Sequence, residues 1–294
     1  MSIKHFAALY GLLAFVLPAQ SFAHAIAGDR IFPATIAVDD PGVNDELDTS
    51  IGRTHSPDGW STAVSAEFDK RLTTNFGLSV EGSWVDPSDI NGGFDNVGVG
   101  AKYTFFKSDA HEAIFSAGLD WDIGNTGATR IAERYSTLTP ALFFGKGMGD
   151  LPDSMEYLKP FAVTGSLGIA FPTKRFTRDD GGDTEFNPAV LQWGATVQYS
   201  VPYLQQHVKD VGLGDVFATA VPVVEFAMET PAGGDSHRTT GTINPGILFM
   251  GSRVQLGFEA VIPVNRESGD HVGAVAQLHF YLDNIFPQTM KPLW

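Results

Sequence analysis

From about residue 60 onward, bulky apolar residues alternate with small or polar residues in one segment of the chain after another. In residues 190–201, one face of an extended strand carries Leu191 and Trp193. The opposite face carries Gln192 and Thr196. A period of two is typical of a β-strand with two unlike faces. The pattern predicts strands near residues 62–68, 76–84, 97–105, 115–122, 137–146, 161–171, 190–201, 217–228, 242–250, 253–262 and 271–282.

The length and chemistry of these segments favour a membrane barrel. Strands in soluble sandwiches are usually about five or six residues long, whereas most of these segments are nearer the length that a tilted strand needs to cross a bilayer. Their small faces carry mainly Gly, Ser, Thr and Gln with scattered carboxylates, whereas a soluble exterior would be rich in Lys and Glu. Because an unpaired backbone group in lipid costs several kcal/mol, such a sheet must close. The predicted fold class is all-β, a transmembrane antiparallel β-barrel of the bacterial outer-membrane type.

The connections between the segments set the strand count. Short ones alternate with longer polar ones, as the periplasmic turns and external loops of such barrels do. Counting back from the C-terminus requires one more strand before residue 60, and Ile31–Val38 is the candidate, which gives about twelve strands. This candidate is short and contains Pro33, which cannot donate to a sheet ladder. Residues 24–59 therefore have two readings, a first strand followed by an external loop, or a plug inside the lumen.

The first residues resemble a secretory signal peptide. Lys4 precedes an apolar run from Phe6 to Leu17, and small residues follow at Ser21 and Ala23. A positive charge, an apolar run and then small residues are the three parts of a signal peptide that ends at a signal-peptidase site. This order predicts cleavage after Ala23, with cleavage after Ala25 or Ala27 as the alternatives. We therefore expect residues 1–23 to be removed, residues 60–282 to form the barrel, and residues 283–294 to form a tail.

Charge and composition exclude several other classes. The chain carries a formal net charge of −15 and no cysteine. An acidic surface argues against a nucleic-acid partner. No later window is long and apolar enough to predict a transmembrane helix. We expect outer-membrane lipid, small-molecule solutes and the barrel-assembly machinery as partners, and no cofactor.

The polar face of the predicted strands carries charged residues that are candidates for lining the lumen. Seven acidic and two basic side chains belong to this set: Glu67, Asp69, Glu81, Lys102, Asp120, Asp122, Glu225, Arg253 and Glu259. A lumen of net negative charge would concentrate cations and repel anions. The alternative is structural, with Lys102 and Arg253 pairing with some of the carboxylates and locking the interior.

Three other clusters are weaker candidates. Clustered carboxylates in Arg178–Glu185 would suit Ca²⁺, but their spacing differs from that of an EF-hand loop, so a solvated loop is favoured. The adjacent Asp235, Ser236 and His237 do not make a catalytic triad, which is defined by geometry. The histidines show no metal-binding spacing. We expect neither a metal nor an enzyme.

Two short motifs resemble a known family. Asn96-Val-Gly-Val-Gly-Ala-Lys-Tyr103 is similar to the glycine-rich strand of the "MetA-pathway of phenol degradation" family, and Gly212-Leu-Gly-Asp-Val216 resembles its recurrent turn. The resemblance implies an outer-membrane barrel that takes up aromatic or hydrophobic compounds. It supplies no catalytic residues.

These observations predict a monomeric outer-membrane barrel of a Gram-negative bacterium that passes small, hydrophobic or aromatic solutes passively. A non-conducting barrel that acts structurally or adhesively through its external loops is the alternative, and an enzyme at the barrel rim is the third. Trp294 is a candidate for the terminal aromatic residue recognised during assembly, although Pro287 and Pro292 precede it.

Overall fold

The computed structural model describes residues 25–293 except residues 179–181, 183 and 234–236. It is a closed antiparallel barrel of twelve strands. Two short strands precede the barrel, and three more lie in its connections. In chain order the strands are β1 Ala25–Ala27, β2 Arg30–Phe32, β3 Glu46–Ser56, β4 Gly59–Thr73, β5 Phe76–Pro87, β6 Gly93–Phe94, β7 Val97–Ser108, β8 Ala113–Ile123, β9 Thr137–Gly147, β10 Phe161–Pro172, β11 Phe176–Arg178, β12 Thr184–Phe186, β13 Ala189–Tyr199, β14 Ala220–Ala232, β15 Thr240–Met250, β16 Val254–Pro263 and β17 Gly273–Tyr281.

Each barrel strand pairs with the next along the chain, and β17 closes the wall by pairing with β3. Consecutive antiparallel strands place their connections alternately at two ends. We call the end near the described chain termini the terminal end, and the opposite end the loop end. The connections at the loop end are residues 57–58, 88–96, 124–136, 173–188, 233–239 and 264–272.

The bulky face of the alternating pattern points outward. Ile51, Leu142 and Leu167 are each more than half exposed, and Trp121 is 43% exposed. Large apolar side chains on the outer wall are what a lipid environment requires. The eleven strands predicted after residue 59 are all present, and the expectation of an apolar exterior is confirmed.

The predicted first strand is wrong. Residues 31–38 do not join the barrel wall, and the strand that closes it is Glu46–Ser56. Only two residues, 57 and 58, separate it from β4, so the long external loop expected after the first strand is also absent. Glu46–Ser56 had the stronger pattern, because Leu47, Thr49 and Ile51 alternate with polar and small residues. Counting back from the C-terminus predicts the correct number of strands but places the first one in the wrong segment.

Residues 25–45 lie inside the barrel, and we call them the lumen segment. Its first part is a hairpin of β1 and β2 at the terminal end. The Gly28 amide donates to Asp109 Oδ1 at 2.9 Å, and this bond holds the pKa of the Asp109 carboxyl below its usual value. Residues 25–45 thus lie within the lumen, whereas Glu46–Ser56 belongs to the barrel wall.

Arg30 fixes the hairpin under the turns of the terminal end. Its side chain is 1% exposed and its Nε lies 3.1 Å from Glu112 Oε2. Its guanidinium also donates to the carbonyl groups of Lys159 and Pro160 and lies over the ring of Tyr203. A buried guanidinium needs this full set of partners to offset its lost hydration.

The two long connections at the terminal end contain helical turns. Asp153–Leu158 forms a 3-10 turn, and Val201–Tyr203 is followed by a π-helical turn over Leu204–Val208. A further helical turn, Leu282–Ile285, follows β17. No helix in the described part of the chain has the length and hydropathy to cross a membrane.

The mature chain is expected to begin at His24. The predicted signal peptide lies outside the described residues, but Ala25 and Ala27 belong to β1 and are buried. Cleavage after Ala27 would remove β1 and leave β2 unpaired, whereas cleavage after Ala23 keeps the hairpin whole. Intact-mass measurement of protein purified from outer membranes checks this prediction, and a mass beginning at Gly28 would contradict it.

Candidate functional site

The lumen segment crosses the barrel interior from β16 to the opposite wall. Near its start, the carbonyl of Ala34 accepts a hydrogen bond from Gln255 Nε2 at 2.6 Å. Farther along, the carbonyl of Pro41 accepts from Ser116 Oγ, at 2.5 Å. Both partners point inward from the wall, because Gln255 and Ser116 belong to the polar faces of β16 and β8. The segment is therefore held by side chains from opposite sides of the barrel.

Glu225 on β14 is the central anchor of this segment. Its carboxylate, which is 0% exposed, accepts three backbone hydrogen bonds. The amides of Ile36, Ala37 and Val38 donate at 2.8, 3.1 and 2.7 Å. Three successive amides on one carboxylate form an anion-binding nest. Hydrogen bonds to a charged group are stronger than neutral ones, so this contact fixes the segment at the middle of the barrel.

A second anchor lies on the facing wall. Lys102 Nζ is 2.7 Å from Asp39 Oδ2 and 3.0 Å from the carbonyl of Asp40, and it lies above the ring of Phe143. Lys102 is thus ion-paired with a carboxylate of the lumen segment and not with one of the predicted carboxylates of the wall.

The end of the lumen segment is fixed where it enters β3. Asp45 is fully buried and forms ion pairs with Lys70 and Arg71 of β4. Arg71 also lies 3.3 Å from Asp283, which follows the last barrel strand. These contacts join the lumen segment, the barrel wall and the C-terminal tail at the terminal end.

A cavity of about 450 Å³ lies between the lumen segment and the loop end. Ile36 forms part of its floor. No Lys or Arg lines it in the part of the chain that the structure describes. Its lining includes the carboxylates Asp48, Glu67, Glu81, Asp95, Asp122 and Glu133. Because like charges of this density raise the local cation concentration, the cavity is suited to positively charged or neutral polar molecules.

Strand register brings these carboxylates together. Asp48 on β3 lies directly opposite Glu67 on β4, and Glu67 lies opposite Glu81 on β5. Side chains at opposed positions of neighbouring strands are about 5 Å apart. Gly98 follows on β7, where a Cβ would lie 2.5 Å from a Glu81 carboxylate oxygen. Glycine at this position therefore leaves room for the acidic side chain of the neighbouring strand.

Two other titratable groups, His279 and Glu133, lie near the row formed by Asp48, Glu67 and Glu81. His279 Nδ1 lies 3.0 Å from Asp48 Oδ2, so an imidazole lies at one end of the row. At the loop end, burial raises the pKa of Glu133, and the nearby carboxylates Glu185 and Asp95 raise it further.

Asp120 and Asp69 line smaller spaces beside the lumen segment. A cavity of about 380 Å³ contains Asp120, Asp39 and Glu229. A narrow space of about 30 Å³ contains Asp69 and Lys102. Both spaces lie against the lumen segment, so any path through them depends on where that segment lies.

The remaining predicted residues have other positions. Glu225 and Glu259 are buried, and Glu259 lies against Glu225 with no hydrogen-bond partner of ordinary geometry for either of its carboxylate oxygens. Arg253 lies in the exposed turn before β16 and not on a strand, because β16 begins one residue later, at Val254. The prediction that Arg253 lines the lumen is corrected on this ground.

Sequence reasoning missed several acidic residues of the interior, among them Asp39, Asp48, Asp95 and Glu133. Asp48 could have been found, because it alternates with Leu47 and Thr49 in β3. The others lie in connections or in the lumen segment, where no strand period marks the direction of a side chain. Three of the four carboxylates of the candidate Ca²⁺ loop, the acidic and hydroxyl members of the Asp235–His237 cluster, and Trp294 lie outside the described residues.

The chain matches no protein-family model and no curated protein in sequence. Solved structures resemble it in fold. An outer membrane channel from Pseudomonas putida F1 aligns with a TM-score of 0.56 and 11% identity, over 85% of this chain and 99% of that one. The KdgM porin aligns with a TM-score of 0.50 and 11% identity, over 80% and 98%. The NanC porin aligns with a TM-score of 0.50 and 12% identity, over 79% and 97%.

Identities this low show a common fold only, and the family resemblance drawn from the two motifs stays a prediction. With a closed wall of twelve strands and an apolar exterior, the chain has the fold of outer-membrane β-barrels.

Proposed function

We propose that this protein is an outer-membrane channel that passes small solutes passively and prefers cations. The observation that carries the proposal is the cavity of about 450 Å³ at the loop end, with its six carboxylates. Solved barrels of similar fold include proteins described as porins and as an outer membrane channel, which supports the transport class. No catalytic role is proposed.

The chemistry of the cavity narrows the solute class. The family resemblance implies hydrophobic or aromatic solutes, but Ile36 and Tyr135 are the only large apolar or aromatic side chains among the described lining residues. Binding sites for apolar ligands are lined mainly by hydrophobic and aromatic side chains. A row of carboxylates favours cations, by charge attraction and by replacing part of their hydration shell. We therefore propose small cations and neutral polar solutes ahead of aromatic compounds.

Reconstitution in planar lipid bilayers tests this proposal. We expect discrete conductance steps and a reversal potential in a KCl gradient with the sign of cation selectivity. Replacing three cavity carboxylates together, by Glu67→Gln, Glu81→Gln and Asp122→Asn, removes half of the six carboxylates that line the cavity and is expected to reduce that selectivity substantially.

A matched control replaces three exposed carboxylates at the terminal end, by Asp153→Asn, Asp210→Asn and Asp215→Asn. It changes the net charge equally and should leave the reversal potential nearly unchanged. Absence of conductance from folded protein would favour the non-conducting structural or adhesive barrel. Conductance with anion selectivity would contradict the proposed role of the carboxylates.

A further inference from the structure

Two histidines and an aspartate meet at the loop end, outside the cavity. His55 lies at the end of β3, and Asp270 and His271 lie in the connection before β17. His55 Nδ1 is 2.9 Å from Asp270 Oδ1, and His271 Nε2 is 3.5 Å from the same oxygen. The imidazole rings are 4.6 Å apart and perpendicular. In the described part of the chain these are the only three residues of metal-binding type that converge this closely.

Local structure fixes this arrangement. Gly269 has a φ of +135°, and a Cβ there would lie 2.1 Å from the carbonyl oxygen of His55. Glycine thus lets the connection turn closely onto β3, which brings the next two residues to His55. Trp60, paired with His55 across the hairpin, packs its ring edge-on to His55 and parallel to His271. The side chain of His55 is only 15% exposed, so its position is largely determined by packing.

We propose that His55, Asp270 and His271 form a binding site for a divalent transition-metal ion, with Zn²⁺ the best suited. Zn²⁺ binds imidazole nitrogen and carboxylate oxygen at about 2.0–2.2 Å in a tetrahedron, which places neighbouring ligand atoms about 3.3 Å apart. The two distances to Asp270 Oδ1, 2.9 and 3.5 Å, lie on either side of this value. Small side-chain rotations would complete the geometry.

The exposure of the three ligands determines what kind of site this is. Asp270 and His271 are more than half exposed, so a fourth position would face solvent and hold water. Two neutral imidazoles and one carboxylate also suit Ni²⁺ and Cu²⁺, for which imidazole is a good ligand. A bound ion would join the connection 264–272 to the β3–β4 hairpin. It would therefore order one side of the loop end, and this role does not depend on transport.

Calorimetric titration of the folded, tag-free barrel with Zn²⁺ tests the site. We expect saturable uptake of one ion per barrel. His55→Ala and His271→Ala should each weaken Zn²⁺ binding by roughly tenfold or more. Loss of a residue that only hydrogen-bonds to a metal ligand already lowers metal affinity by about tenfold. Asp270→Asn should weaken it as well. His111→Ala is the matched control, because His111 is an exposed histidine paired with Asp150 at the other end of the molecule.

Heat-modifiable migration on gels shows whether each variant is folded. His271 is exposed and outside the barrel wall, so His271→Ala keeps the test decisive if His55→Ala fails to fold. Absence of saturable uptake by the folded wild-type protein would overturn the proposal. Uptake that persists undiminished in His271→Ala, or that falls equally in His111→Ala, would overturn it too.

Discussion

Deletion of residues 26–42 is expected to raise single-channel conductance severalfold and to reduce cation selectivity. The lumen segment lies across the interior and contacts β16, β14, β7 and β8. Removing it joins the cavity at the loop end to the spaces beside Asp120 and Lys102. Ionic conductance rises with the cross-section of the path. In a wider path, dissolved salt screens the wall charges beyond about 8–10 Å, so the carboxylates discriminate less between cations and anions. Planar-bilayer recordings measure both quantities.

The deletion leaves the barrel wall intact. β3 begins at Glu46, and Asp45 keeps its ion pairs with Lys70 and Arg71. The predicted cleavage site after Ala23 also remains. Conductance equal to that of the wild-type protein would show that the segment does not restrict the path, and would contradict its position inside the lumen.

A cysteine pair tests the same position without deleting any residue. A Cβ at Gly194 would lie 2.8 Å from Val38 Cγ2, so a Val38→Cys and Gly194→Cys pair comes close enough for a disulfide. The chain has no other cysteine. We expect the pair to form spontaneously on oxidation and to leave conductance at the wild-type level. Failure to form would indicate that residue 38 is not beside β13.

The strands could be predicted from the sequence because their pattern is local. Leu191 and Trp193 point to lipid and Gln192 points inward wherever β13 lies in the wall. Closure of the sheet into a barrel can also be predicted from the strand pattern, because a lipid-facing sheet cannot leave the backbone groups of an edge strand unpaired. The first strand is harder to predict because Glu46–Ser56 carries only two bulky apolar side chains, Leu47 and Ile51, among polar and small residues.

The interior was harder to predict because its contacts join residues far apart in the chain. The sequence predicts that Glu225 faces inward, yet its partners Ile36 and Val38 are nearly 190 residues away. Backbone amides carry no side-chain signature, so no sequence pattern marks a nest. The same holds for His55 and His271, which are far apart in the chain and meet because β17 pairs with β3.

Replacing Glu225 by alanine is expected to release the lumen segment. Three amides would lose their only charged acceptor at a site that is closed to bulk water. Each hydrogen bond to a charged group contributes about 1.5–3 kcal/mol, so even a partial loss destabilises the closed position of the segment by about 3 kcal/mol. That change corresponds to a roughly hundredfold increase in the population of the open position.

Hydrogen exchange followed by mass spectrometry measures this release at residues 34–40. In Glu225→Ala we expect the amides of Ile36, Ala37 and Val38 to exchange roughly a hundredfold faster, since 1.4 kcal/mol is tenfold. Glu225→Gln keeps one oxygen acceptor but loses the charge, so its effect should be intermediate. Glu229→Ala, an exposed carboxylate on the same strand, is the control and should leave these amides protected. Equal protection in Glu225→Ala and wild type would mean that the nest does not hold the segment. Faster exchange together with raised conductance would instead identify Glu225 as the residue that keeps it across the lumen.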